Sequence, residues 1–297
     1  MFDLRDMQLL AALARHEHFA RAADESGISQ PAFSARIRNL ELELGAPVVR
    51  RGNRFQGFTR EGEIALKWAL RMLADADGLA QEIAEAKGQL SGRLAIGVVP
   101  TAVSFAAHAP IRLRAHHPGL TVQIFSMSSS EIRQGLEAFS LDAGLTYLDA
   151  KRPAGSRTEQ LYSERYVLLC PPDLAPRASG TIAWAEAARL PLCLLTRNMR
   201  NRRIIDEAFA AAGATPEPVT EANAFTAALI QVSLGLAATI APETLVRSLE
   251  STAGMTQLGL TEPVVEKPIC LVIADRDPEL PAIGALVEVL RTLDRPA

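Results

Sequence analysis

"GISQPAFSARIRNLELELG", running from Gly27 to Gly45, is the stretch that decides how this chain is read. Gly27 supplies the left-handed residue that ends one short helix cleanly. Ser29 then fits an N-cap, and Pro31 falls in the first turn, where a missing N–H has no intrahelical acceptor to lose. Phe33, Ile37, Leu40 and Leu44 recur at helical spacing until Gly45 stops the pattern. Upstream, Leu4, Met7, Leu10, Ala11 and Ala14 make one helical stripe, and Phe19, Ala22 and Ala23 make the inward face of a second short helix. Two short helices joined by a glycine corner are wired as a helix-turn-helix.

The other face of the third helix carries Gln30, Ser34, Ala35, Arg36 and Arg38. Near the N-terminus of a helix in a DNA major groove, a glutamine bonds adenine bidentately and an arginine reads guanine or clamps a phosphate. An ordinary solvated helix face accounts for the same residues equally well. The next dozen residues separate the two readings. "VVRRGNRFQGFT", Val48 to Thr59, spells two short strands around a Gly52-Asn53 turn, with Arg50, Arg51 and Arg54 at the tip. Arginines on such a hairpin suit a wing that straddles a minor groove or its phosphates. The formal net charge is −3, yet residues 30–60 hold six arginines against two acids. Local positive charge governs phosphate binding more than the whole-chain sum.

Thr59 caps a long helix expected from about Arg60 to Lys87. Leu66, Ala69, Leu73, Ala76, Ala80 and Ile83 alternate spacings of three and four, a heptad seam that favours dimerisation over packing on its own domain. "GQLSGR", Gly88 to Arg93, has the composition of a hinge. Beyond it, apolar runs at Leu94–Val99, Leu120–Phe125, Leu141–Thr146, Tyr166–Cys170, Leu190–Leu195 and Ile269–Ile273 alternate with helical segments, as in parallel α/β units. "SLGLAATIAP", Ser233 to Pro242, gives a helix end, a glycine corner and a strand. The expected domains are 1–59, 60–92 and 93–297.

Other classes of function lack their signatures. No phosphate loop, dinucleotide fingerprint, nucleophile elbow or metal-ligand spacing occurs, so neither an enzyme nor a metal or cofactor is expected. His116 and His117 point about 100° apart on a helix, which suits surface residues better than joint metal ligands. Cys170, Cys193 and Cys270 each sit in an apolar run and read as buried hydrophobes in a reducing compartment. An apolar signal core and a run of about 18 apolar residues are both missing, so a cytoplasmic location is expected and a membrane partner is not.

"FARAADESGISQPAFSARIRNLELELG" (19–45), "RRGNRF" (50–55) and "FTREGE" (58–63) follow one another in the order and spacing of LysR-type transcriptional regulators, which residues 4–70 resemble. "LDAGLTYL" (141–148) and "VSLGLAATIAP" (232–242) extend the resemblance over nearly the whole chain. It implies an α/β multidomain fold: a winged helix-turn-helix, a dimerising linker helix, and an effector domain of two Rossmann-like lobes resembling type 2 periplasmic binding proteins. Lobe 1 would span about 93–162 and 267–297, lobe 2 about 163–266, crossed by two connecting strands. The function implied is a transcriptional regulator, usually a homotetramer, that binds operator double-stranded DNA at a promoter and switches with a small-molecule effector in the cleft between lobes. RNA polymerase is a further partner within that reading. A solute-binding protein of a transporter would have no use for the arginine-tipped hairpin.

Carried over residue by residue, Gln30, Pro31 and Ser34 occupy positions that touch bases or sugar-phosphate, Arg54 lies where a wing arginine enters the minor groove, and Thr59 where a hydroxyl meets a phosphate. Ser29, Arg36, Arg38 and Arg51 complete the DNA-facing set. Ala35 stands where many relatives have a base-reading arginine, which leaves Arg36 or Arg38 to take over. "HEHF" (16–19) and "PVVRR" (47–51) also depart from the family pattern. In the effector domain, strand ends and helix starts facing a cleft select Pro100, Thr101, Ser104, Ser128, Ser129 and Tyr147 on lobe 1, and Thr196, Asn198, Arg200 and Asn223 on lobe 2. Hydroxyls, amides and an arginine favour a small anion such as a carboxylate. Each serine taken alone reads first as a helix cap.

Overall fold

The computed structural model describes residues 2–50, 52, 55–148, 155–175, 180–249 and 254–293. Arg51 and Arg54 of the expected DNA-facing set lie outside the described residues. The chain divides into two compact units, Met1–Gly92 with Glu137–Ser140, and Arg93–Leu136 with Leu141–Ala297.

The first unit holds α1 (Leu4–His16), α2 (Phe19–Glu25), α3 (Gln30–Leu44) and α4 (Arg60–Ala86). A reciprocal capping box between Asp3 and Asp6 starts α1. The Ser29 hydroxyl accepts the Ala32 N–H at 3.4 Å to start α3, while Gly27 and Gly45 take φ of 66° and 69° on either side of it. Leu9, Leu10, Leu13, Phe33, Ile37 and Leu40 form the core, with Phe19 set edge-on to Phe33. Two members of the expected stripes are instead exposed, Leu4 at 50% and Leu44 at 38%. Each stands in a terminal turn, outside the buried span of its helix.

The wing has a narrower base than two full strands: Val49 bridges Phe58, and Arg50 N–H donates to the Gly57 carbonyl at 3.0 Å. Helix α4 begins against this base. A Cβ at Gly62 would stand 1.9 Å from the Val48 carbonyl oxygen, so the close approach requires glycine. The helix has 27 residues, about 40 Å of length. Its expected seam divides. Leu66, Ala69 and Leu73 pack into the core of the helix-turn-helix, whereas Ala80 and Ile83 are exposed. The first half of the seam therefore serves the helix's own domain, because α1 lies along it. Ile83 instead joins Ile64, Trp68 and Leu79 in an apolar row that faces solvent.

The second unit contains β1 (Ser91–Val98), α5 (Val103–Ala106), α6 (Ala109–His116), β2 (Gly119–Ser126), α7 (Ser129–Glu137), β3 (Ala143–Tyr147), β4 (Ser156–Cys170), β5 (Thr181–Ala183), α8 (Trp184–Ala187), β6 (Cys193–Leu195), α9 (Arg200–Ala211), β7 (Thr220–Ala222), α10 (Phe225–Ser233), β8 (Thr239–Pro242), α11 (Glu243–Arg247), β9 (Thr256–Thr261), β10 (Glu266–Ala274) and α12 (Pro281–Thr292). The main sheet runs β2-β1-β3-β10-β4-β9-β5, with β8 also on β4 and β6-β7 as a separate pair.

Strand β1 is parallel to β3, and β10 runs antiparallel to both β3 and β4. Residues 156–165 of β4 pair with β10, while Tyr166 onward pairs with β8 and β9. One strand thus leaves lobe 1 and enters lobe 2 at Arg165-Tyr166, and β10 makes the return crossing. Lobe 2 is anchored by Trp184, fully buried edge-on to Phe209, whose indole N–H donates to the Pro263 carbonyl at 2.9 Å.

Candidate nucleic-acid interface and ligand cleft

On α3, Gln30, Pro31 and Arg38 are exposed and Ser34 and Ala35 half-buried; Pro31, Ala35 and Arg38 lie opposite Phe33, Ile37 and Leu40, Ser34 at the flank of that stripe, and Gln30 in line with it at the exposed first turn. The start of the helix also leaves its first backbone N–H groups near that face. Arg38 makes no ion pair among the described residues.

Arg36 corrects the expectation placed on it. Its Nε donates to Asp6 Oδ1 at 2.8 Å and its terminal nitrogen to Asp3 at 3.1 and 3.2 Å. The Asp6 bond holds the guanidinium above its usual pKa, and the Asp6 N–H holds the Asp3 carboxyl below its own. Arg36 is thereby turned toward the first turn of α1 rather than toward a groove. Thr59 is a second correction. Its hydroxyl donates to the Pro47 carbonyl at 2.5 Å and accepts the Gly62 N–H at 2.9 Å, so it caps α4 and has no proton left for a phosphate. The partners of Arg36 are two acids some thirty residues upstream, which no local pattern could have matched to it.

Between the lobes of the second unit lies a cavity of about 470 Å³. Ser129, Ser130, Arg133, Thr146 and Tyr147 line it from lobe 1, Asn198 and Arg203 from lobe 2, over an apolar wall of Ile132, Leu136, Leu148 and Val272. The ten expected effector residues divide accordingly: Ser129, Tyr147 and Asn198 come together here. Thr196 stands just behind, donating to Asn198 Oδ1 at 2.7 Å. Pro100, Ser104 and Asn223 lie outside the lining.

Three others are held elsewhere by clear causes. Ser128 is the N-cap of α7: its hydroxyl accepts the Glu131 N–H at 3.3 Å, while the Glu131 carboxylate accepts the Ser128 N–H at 2.7 Å. The Ser128 hydroxyl and N–H in turn hold Glu131 below the usual carboxylate range. Arg200 pairs along its own helix with Glu207 at 2.8 Å. Thr101 is buried, its hydroxyl 3.0 Å from that of Tyr147. Arg133 and Arg203 carry no signal in the sequence, because strand ends and helix caps mark candidate residues and neither arginine stands at one.

Behind the cavity, the Tyr147 hydroxyl is the centre of a buried polar cluster. It donates to Glu164 and accepts from the Tyr166 hydroxyl at 3.4 Å and from Asn201 Nδ2 at 3.5 Å. Tyr147 belongs to lobe 1, Asn201 to α9 of lobe 2, and Glu164 to the strand that passes between them. Glu164 is fully buried, and burial pushes its carboxyl up to about 7. Burial likewise pushes the Tyr147 phenol far above its usual value. Glu164 Oε1 and Asn201 Oδ1 have no hydrogen-bond partner among the described residues. Deeper in lobe 2, Arg202 is buried but matched, donating to the Leu195 carbonyl at 2.7 Å, to Glu221 at 2.6 Å and to Asp206 at 2.8 Å.

Among the described residues no group of three or more potential metal-ligating side chains gathers, and no helix is long and apolar enough to cross a membrane.

Comparison with known proteins accounts for both units. Residues 4–63 match the family model described as bacterial regulatory helix-turn-helix protein, lysR family, and residues 87–295 match that of the LysR substrate binding domain. The chain is 30% identical to the HTH-type transcriptional regulator IlvR of Caulobacter vibrioides over 89% of each chain. It is 29% identical to a hydrogen peroxide-inducible genes activator of Haemophilus influenzae, over 64% of this chain and 60% of that protein. In fold it is similar to a full-length OxyR variant from Pseudomonas aeruginosa, with a TM-score of 0.78 at 24% identity, covering 100% of this chain and 97% of that one. It is also similar to full-length CbnR complexed with its target DNA, with a TM-score of 0.70 at 22% identity, covering 98% and 99% of the two chains. The two family models follow one another along the chain, separated by residues 64–86 of α4, one in each structural unit. The chain therefore belongs to the LysR family of DNA-binding transcriptional regulators, with an N-terminal helix-turn-helix and a C-terminal effector-binding domain.

Proposed function

We propose that this regulator reads an operator through the start of α3, with Gln30, Ser34 and Arg38 toward the major groove, and that a small organic anion in the interlobe cleft sets its response. The observation that carries the DNA reading is the two-faced α3: Phe33, Ile37 and Leu40 are fully buried, Arg38 stands exposed on the other side, and Gln30 is exposed at the helix start. Gln30, Pro31 and Ser34 take the base and sugar-phosphate contacts, with Ser29 beside them, and Arg51 and Arg54 extend the contact through the wing. The solvent-facing Ile64, Trp68, Leu79 and Ile83 row supports self-association through α4. A homotetramer in the cytoplasm, working with RNA polymerase, completes the reading.

Similarity to peroxide-inducible activators raises thiol oxidation as a second trigger. Burial disfavours it here. Cys170, Cys193 and Cys270 are all free and buried, and burial pushes each thiol up, away from the reactive thiolate. The cleft, open and lined by polar groups, supports an effector instead.

Selection of random duplex DNA by the purified full chain, followed by sequencing, tests the reading. Enrichment of one partly palindromic sequence is expected. Recovery of no preferred sequence at any ionic strength would overturn it.

A further inference from the structure

Two polar side chains in the cleft, Ser129 and Asn198, keep a hydrogen to give, while Thr146 and Tyr147 have given theirs to Ser129 and Glu164. Thr146 Oγ1 donates to Ser129 Oγ at 2.8 Å, which leaves the Ser129 hydroxyl its own proton. Thr196 occupies the Asn198 carbonyl, which leaves the amide hydrogens of Asn198. Arg133 of α7 and Arg203 of α9 line the same cavity from opposite lobes, both exposed and neither in an ion pair among the described residues. Of the acids closest to them in sequence, Glu131 is engaged with Ser128, Asp206 with Arg202 and Glu207 with Arg200, and Glu137, four residues beyond Arg133, makes no ion pair with it among the described residues. No carboxylate occurs among the described residues that line the cavity.

Two cations on two lobes, hydrogen-bond donors on each lobe, and an apolar wall in the same cavity match a molecule with two anionic ends and a hydrocarbon middle. Arginine suits carboxylate because its planar fork donates two parallel bonds to it. We propose that the effector is a dicarboxylate with a short hydrocarbon body, one carboxylate on Arg133 and the other on Arg203. This rests on the reading of the cleft as the effector site and names the ligand class and the two residues that select it. A monocarboxylate engages one lobe alone. A dicarboxylate engages both and fixes their separation, so its binding free energy differs between open and closed arrangements.

The test uses the full chain and isothermal calorimetry near neutral pH at fixed ionic strength. The probes are the linear dicarboxylates from malonate to adipate, phthalate, and the monocarboxylate of each skeleton. At least one dicarboxylate should bind about tenfold or more tightly than its monocarboxylate, and Arg133→Gln and Arg203→Gln should each remove that advantage. Both substitutions are at exposed positions, and the melting temperature of the free variants checks their folding. Ser129→Trp, which places an indole in the cavity, should abolish binding of both classes. Equal binding of mono- and dicarboxylates, an advantage that survives both arginine variants, or no binding by any probe overturns the dicarboxylate assignment. Monocarboxylate binding that Ser129→Trp abolishes leaves the cleft standing as the effector site. Binding of any probe that survives Ser129→Trp places the site elsewhere and overturns the cleft reading itself.

Discussion

Arg36 Nε stands 2.8 Å from Asp6 Oδ1, joining α3 to the first turn of the chain's first helix. Asp6 is the residue that also completes the capping box with Asp3, so one pair of carboxylates serves two purposes. Arg36 and Arg38, two positions apart on one helix, therefore have different work.

That difference is measurable. Arg38→Ala should weaken DNA binding and reduce the slope of log affinity against log salt by about 0.9, the signature of one lost phosphate contact. Arg36→Ala should leave that slope unchanged and instead lower the melting temperature of the first unit. Fluorescence anisotropy over a salt series, beside thermal denaturation, distinguishes them; a reduced slope for Arg36→Ala would contradict the ion-pair assignment.

Gly62→Ala probes the seat of α4. The added methyl would meet the Val48 carbonyl oxygen at 1.9 Å, and only a shift of backbone relieves it. A loss of about 1–3 kcal/mol in chemical denaturation is expected, as for overpacking elsewhere. Gly284→Ala, with nothing within 4 Å of the new Cβ, is the control that should cost little.

These positions show what was legible in the amino-acid sequence. Gly27, Ser29, Pro31 and Gly45 announce α3 because caps and corners act within a few residues, and buried runs such as Leu94–Val99 announce the lobes by apolarity alone. Strand β4 was visible only from Tyr166, since "SRTEQLYSER" before it mixes polar and apolar residues as a half-exposed crossing strand must. The short strands β5, β7 and β9 exist through their neighbours rather than through their own composition. In the cleft, Ser129, Tyr147 and Asn198 followed from strand and helix ends. Arg133 and Arg203 did not, because a helix-body arginine reads as solvated until the fold sets two of them around one cavity. The α4 seam divides for a related reason: heptad spacing says that a face is apolar, not which partner covers it, and Leu66, Ala69 and Leu73 are covered by their own domain.

Glu164 predicts a pH dependence. Its folded carboxyl is raised to about 7 from an ordinary 4.5, so between those values the folded chain holds a proton that the unfolded chain has released. This group's contribution is fully present below about pH 4.5 and is lost as pH rises through 7. Glu164→Gln, neutral throughout, removes the dependence and should gain on the wild type above pH 7 by about 3 kcal/mol. Urea denaturation of both proteins at a series of pH values measures it. Parallel curves would show that Glu164 does not carry the proton.

Hydrogen peroxide should leave this regulator unchanged. With all three thiols buried and raised, thiol titration after peroxide treatment of the native protein should recover every cysteine, and DNA affinity should be unaltered. Loss of even one titratable thiol together with altered affinity would restore oxidation as a trigger.

Gln30→Ala combined with Ser34→Ala asks whether the start of α3 meets base edges, on which the DNA-binding reading depends. Affinities of this double variant and of the wild type are compared on the selected operator and on a scrambled duplex at one salt concentration. A loss of about 1–3 kcal/mol is expected on the operator, with binding to the scrambled duplex unchanged. Equal affinity of the two proteins for the operator would show that α3 does not read the bases.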